Sequence, residues 1–244
     1  NRSTGIMLRP KNFSGFGWMG APIKELLEEA LKLPVTIDNG ANTAILAEYN
    51  FGAGKGYRNI AYFNCSTGIR TGAISAGTII RTINDTEDAF GHMVINVDGE
   101  ACSCGNYGCI DCYSSIYAIV QKYNTALKQG RSSVIAKSID FIDYADICQA
   151  ADNHEVLAQE IINNAATIFG AGLANYINLL NPGLVILSGP LISQSELFYQ
   201  ISIDIASKRI YDKESNQIVF SKGGKFGNDA IALGAAVMVV ESYL

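Results

Sequence analysis

Apolar residues recur at helical spacing through Ile23, Leu26, Leu27, Ala30 and Leu31, and Pro22 suits a first helical turn, so this stretch predicts an amphipathic helix. Residues 1–19 carry no such period and are punctuated by Gly15 and Gly17. Val35-Thr36-Ile37 reads as a short strand, and Ala41–Tyr49 as a helix closed by Gly52, Gly54 and Gly56. Ile60–Cys65, Arg70–Ser75 and Thr78–Thr82 read as strands joined by glycine turns. Helices are predicted over Ile116–Leu127 and over Glu155–Asn178. Leu184-Val185-Ile186-Leu187 is wholly apolar, as a strand buried on both faces requires. A helix over Glu196–Lys208, a strand over Ile218–Ser221 and a last helix over Asp229–Glu241 complete an α/β pattern.

Composition agrees with a packed core. Of 244 residues, 48% are hydrophobic and 17% charged, a balance that argues against disorder. The formal charge of −5 supplies no basic footprint for nucleic acid, so any DNA contact is expected from a module outside this chain. No apolar run reaches the roughly 18 residues of a membrane span, and no signal peptide is visible; a cytoplasmic location is expected. The chain opens on Asn1 rather than Met and reads as a fragment.

The strongest chemical signal is a cysteine cluster. Cys102, Cys104, Cys109 and Cys112 lie within eleven residues, and Gly91-His92 precedes them. In a large chain without a signal peptide, such a cluster reads as metal-binding rather than as a disulfide framework. His92, Cys102, Cys104 and Cys109 supply the three thiolates and one imidazole of a tetrahedral Zn²⁺ site. Gly105 and Gly108 allow the tight backbone path between them. Four protein ligands leave no open position, so the zinc is expected to be structural. Free thiols or a disulfide pair are the alternatives. Cys112 has no evident role at this spacing, and Cys65 and Cys148, in apolar surroundings, read as small core residues.

These residues resemble the ROK family of bacterial sugar kinases and sugar-responsive repressors. The resemblance rests on Ser66-Thr67-Gly68-Ile69-Arg70-Thr71-Gly72, on Gly91-His92 and on the string Cys102-Ser103-Cys104-Gly105-Asn106-Tyr107-Gly108-Cys109. Asp38-Asn39-Gly40-Ala41-Asn42 is similar to the family's Asn-Asp-Ala-Asn step, and Asn178–Pro182 and Gly227–Ala230 to later landmarks. The resemblance implies an α/β, actin-like ATPase (ribonuclease H-like) fold. It implies mainly the C-terminal lobe, with part of the N-terminal lobe missing. Residues 1–35 would be a remnant of the first lobe, 36–227 the second lobe with a zinc loop at 91–112, and 228–244 a C-terminal helix. Sugar contacts are implied for Asn39, His92 and Asp111, with His92 serving both zinc and sugar.

The sequence departs from the kinase pattern at several positions. Family kinases use an aspartate as general base, and its position here is Gly40. Losing a positioned base typically costs about 10²–10⁴-fold in rate. Asp38, two residues away, is a weak substitute that reads equally as a strand-end or capping carboxylate. Ala89 replaces a family glutamate, Asp111 replaces another, and Arg70 replaces a glycine. The run Asp38–Thr43 imitates an actin-like phosphate loop but leads into a helix instead of a hairpin.

The expected function is therefore that of a sugar-responsive transcriptional regulator's effector and oligomerisation domain, a homodimer or homotetramer with structural zinc and no catalytic residue. The alternatives are an ATP-dependent sugar kinase using ATP and Mg²⁺, and a zinc-stabilised scaffold without a ligand.

Overall fold

The computed structural model describes residues 1–8, 17–81, 89–211 and 217–241. Its helices are α1 (Ile23–Leu31), α2 (Gly40–Phe51), α3 (Asp111–Ser114), α4 (Ile116–Lys128), α5 (Tyr144–Asp152), α6 (Val156–Leu180), α7 (Pro190–Ser193), α8 (Glu196–Arg209) and α9 (Ala230–Glu241). Its strands are β1 (Ile60–Cys65), β2 (Ile69–Ser75), β3 (Thr78–Ile79), β4 (Leu184–Ser188) and β5 (Val219–Lys222), forming one sheet in the order β3-β2-β1-β4-β5. The β1–β2 and β2–β3 pairs are antiparallel hairpins, whereas β1–β4 and β4–β5 are parallel and joined by helical crossovers.

Strand periodicity divides the core in two. On β1, Ala61, Phe63 and Cys65 face the larger cluster, while Ile60 and Tyr62 face the smaller one. On β4, Val185 and Leu187 point one way and Leu184 and Ile186 the other, so every residue of that strand is buried. The larger cluster takes its cover from α4, α5, α6 and α8, with Phe63, Phe90, Phe169 and Tyr176 meeting edge to face. The smaller one is covered by α2, with Ala230 at the start of α9. Helix α9 lies along α2 so closely that a β-carbon on Gly234 would fall 1.6 Å from the Thr43 carbonyl oxygen. Only glycine permits that approach.

Two predicted strands differ in the structure. Val35-Thr36-Ile37 is not assigned to any ladder: β-branched residues favour extended backbone, but a strand needs a partner. The hairpin strand begun at Thr78 ends at Ile79. Thr82, its expected end, lies outside the described residues. Helix α1 forms as predicted, yet its Leu26, Leu27 and Leu31 are exposed.

Candidate metal centre and adjoining cleft

The loop between Ala89 and Ser114 is tied together by its own backbone. Val94 bridges Cys109 and Ala101 bridges Tyr107, with Ile110 N donating to Met93 O at 3.0 Å. Gly105 N donates to Cys102 O at 3.0 Å and Cys102 N to Asn106 O at 2.7 Å, closing a tight turn. Gly108 adopts φ +66°, and a β-carbon there would lie 1.6 Å from Asn96 O, so the loop closes only with glycine.

This path brings His92, Cys102, Cys104 and Cys109 together, their candidate ligand atoms all within 4.8 Å of one another. The Cys102 sulfur is 3.7 Å from His92 Nδ1, and the Cys104 and Cys109 sulfurs are 3.7 Å apart. Sulfurs about 2.3 Å from a tetrahedral ion would stand about 3.8 Å apart, so the donor set fits a four-coordinate, thiophilic cation. In the metal-free protein, burial pushes the Cys102 thiol up. Hydrogen bonds from the Cys104 backbone and from Cys104, Cys109 and His92 outweigh that and bring it down to about 6. Burial and the neighbouring thiols push Cys109 the opposite way.

Asp111 opens α3, directly after the cluster. Its Oδ1 accepts from Ile69 N at 3.0 Å, and its Oδ2 lies 3.8 Å from Arg70 Nη1, so it pins the metal loop to the start of β2. Burial raises its pKa, against the Ile69 amide, Arg70 and His92, which lower it.

The remaining candidate residues lie at the N-terminus of α2. Asn39 caps that helix, its side chain accepting from Asn42 N at 2.8 Å. A β-carbon on Gly40 would stand 3.3 Å from Ile231 Cδ1 on α9. Asp38 Oδ1 accepts from Asn39 N at 2.8 Å and from Asn42 Nδ2 at 2.9 Å, while Oδ2 is paired with Arg81. Strand β2 touches both the loop that carries His92 and the start of α2. Its Gly72 packs under Ala41 and its Ile69 under Gly91. Those two residues are about 10 Å apart along the strand. A depression of about 350 Å³ between Arg2, Lys24, Ile37, Asp38, Arg81 and Met238 opens on the Asp38–Arg81 pair.

Further along α2, Glu48 is completely buried. Its carboxylate accepts from Ala53 N at 2.8 Å, Phe226 N at 2.9 Å and Lys225 N at 2.9 and 3.0 Å, holding the glycine turn after β5 against α2. No local pattern announces this role, because the donors lie up to 178 residues away. Arg81 as partner of Asp38 was likewise missed.

The chain belongs to the ROK family, whose model matches residues 1–242, and it has that family's actin-like ATPase fold. It is 30% identical over 227 residues to the xylose repressor of Bacillus spizizenii, covering 93% of this chain and 56% of that protein. The chain thus spans about half the length of the repressor it matches. The crystal structure of a ROK hexokinase from Thermus thermophilus superposes with a TM-score of 0.81 at 26% identity, over 99% of this chain and 76% of that one. A ROK transcriptional regulator, homologous to the Escherichia coli Mlc protein, gives the same score and identity over 98% of this chain and 59% of that one. Relatives therefore include both regulators and kinases. Among the described residues, no helix is long and apolar enough to cross a membrane.

Proposed function

We propose that this chain is the sugar-binding effector domain of a ROK transcriptional regulator, built around a structural zinc and without kinase activity. The observation that carries the reading is that the position where family kinases carry their general base holds no carboxylate. Position 40 is glycine, with Ile231 packed where a side chain would begin. The carboxylate nearest in sequence, Asp38, is taken up by Arg81, Asn39 and Asn42. A carboxylate that already accepts from a guanidinium and two N–H groups is a poor general base. The 30% identity to a xylose repressor supports a regulatory role.

Zinc would be held by His92 Nδ1 and the sulfurs of Cys102, Cys104 and Cys109, and bound there it would organise the loop and perform no chemistry. His92 then keeps its proton on Nε2, which donates to a sugar hydroxyl. Asp111 accepts from a second hydroxyl, and the amide nitrogen of Asn39, whose oxygen caps α2, donates to a third. Sugar binding shifts the population of domain arrangements instead of driving a reaction. DNA is contacted by a separate module, and self-association into a dimer or tetramer sets the spacing of two such modules.

The kinase reading is favoured by the likeness to the Thermus hexokinase, and one experiment separates the two. The protein is incubated with ATP, Mg²⁺ and a panel of pentoses and hexoses, and the same sugars are tested by thermal shift. A regulator gives no phosphorylated sugar, but a sugar at about 100 times its Kd stabilises it by about 2.7 kcal/mol. Robust turnover with any sugar overturns the proposal.

A further inference from the structure

Cys112 is the one cysteine of the cluster that the metal cage does not use. Its sulfur is outside the four-atom set and 3.8 Å from the carbonyl oxygen of Ala101, the residue directly before Cys102. Its amide donates to Cys109 O at 3.0 Å, which fixes the start of α3 beside the cage. Cys109 is buried, whereas Cys102, Cys104 and Cys112 are all partly open to solvent. A small oxidant therefore reaches Cys102, and the Cys112 thiol rests against the residue preceding it. By contrast, Cys65 and Cys148 are buried.

We propose that Cys102 and Cys112 form an oxidisable pair, in which a hydroperoxide converts a metal-bound thiolate into a Cys102–Cys112 disulfide and opens the cage. The inference rests on the zinc reading given above. In the first step the Cys102 sulfur attacks the peroxide O–O bond. An S–O bond forms, the O–O bond breaks, and the departing hydroxide takes a proton from solvent to leave as water. Cys102 is then a sulfenic acid and no longer a thiolate ligand. In the second step the Cys112 sulfur attacks that sulfur, the S–S bond forms, and the hydroxyl leaves as water with the Cys112 proton. One peroxide is reduced to two waters and two thiols are oxidised to one disulfide. With one donor lost, the site has three ligands, the ion is released, and His92 loses the bond that fixes its ring. The pair thus couples oxidation of the loop to the sugar cleft.

The test uses the full 244-residue chain loaded with zinc. Zinc is first quantified by elemental analysis, and the protein is then treated with one equivalent of hydrogen peroxide. Zinc release is followed with a chromophoric chelator, disulfides by peptide mass mapping, and sulfenic acid by dimedone labelling. The proposal expects zinc release together with a 102–112 disulfide, both reversed by dithiothreitol and added zinc. In Cys112→Ser, which should bind zinc fully before oxidation, dimedone labelling of Cys102 should rise by about tenfold, because a neighbouring resolving thiol acts at high effective concentration. A disulfide joining Cys102 to Cys104, or Cys104 to Cys109, overturns it, as does unchanged labelling in Cys112→Ser. Absence of zinc before oxidation overturns the zinc reading itself, whereas full zinc with the wrong disulfide sinks only the inference.

Discussion

Arg81 is ion-paired with Asp38, whose side chain is only 2% exposed. The same carboxylate holds Asn39 and Asn42 at the start of α2. Arg81→Met leaves a buried carboxylate without its cation and should destabilise the protein by about 3 kcal/mol. Asp38→Asn keeps the shape, removes the charge and should cost less. Urea denaturation of both variants checks the order. Equal, negligible losses would mean that the pair does not support the helix start.

Cys104→Ser removes one cage donor. Zinc content should fall from one ion per chain to none, and loss of the anchored loop should cost about 2 kcal/mol, or about 4–8 °C in Tm for a domain of this size. Elemental analysis and a melting curve measure both. A full zinc complement in the variant would falsify the assignment of the cage.

Glu48 satisfies backbone amides at Ala53, Lys225 and Phe226. Glu48→Ala strands these donors and opens a cavity between α2 and the turn after β5, so a loss of about 3–4 kcal/mol is expected. Glu48→Gln places an NH₂ group among donors and should recover only part of it. Hydrogen exchange at Lys225 and Phe226 should accelerate in both variants; protection unchanged from the parent would contradict the role given to Glu48.

Alkaline stability follows from buried tyrosines. Burial, and then the hydrogen bond to Glu155, push Tyr123 from 10.0 up to about 12, and burial raises Tyr176 from 10.0 to about 12. Tyr144 is raised by burial as well. Such a group holds its proton longer in the folded state, so its contribution is intact below pH 10 and is lost as pH rises from 10 towards 12. Phenolate absorbance near 295 nm should therefore lag the titration of unfolded chain and then rise together with loss of circular dichroism. Full ionisation at pH 10.5 with the fold intact would contradict this.

Much of the molecule was legible from patterning. The apolar run at Leu184 is the doubly buried β4, and the helix predicted over 155–178 is α6 within two residues at each end. The four candidate metal ligands converge as expected, because their spacing is local and their glycines dictate the turn. Helix α5 went unread although its signals were present. Tyr144, Ile147, Cys148 and Ala151 are buried on one face, and Asp143 with Asp146 forms a capping box. What local pattern could not give was pairing across the chain. Val35–Ile37 has the residues of a strand but no ladder, and nothing near Asp38 announces Arg81, 43 residues on. Asp111 was placed at the sugar by resemblance, while its hold on Ile69 appears only once the metal loop folds onto β2.

The glycine turn at 223–227 has the positive φ angles and inward amides of an anion receptor, but its guest is covalently attached. Glu48 arrives from α2 at effectively unlimited local concentration, so a free phosphate would have to evict a tethered competitor and leave that carboxylate stranded in the core. The turn thereby serves as a buckle between the first quarter of the chain and its tail.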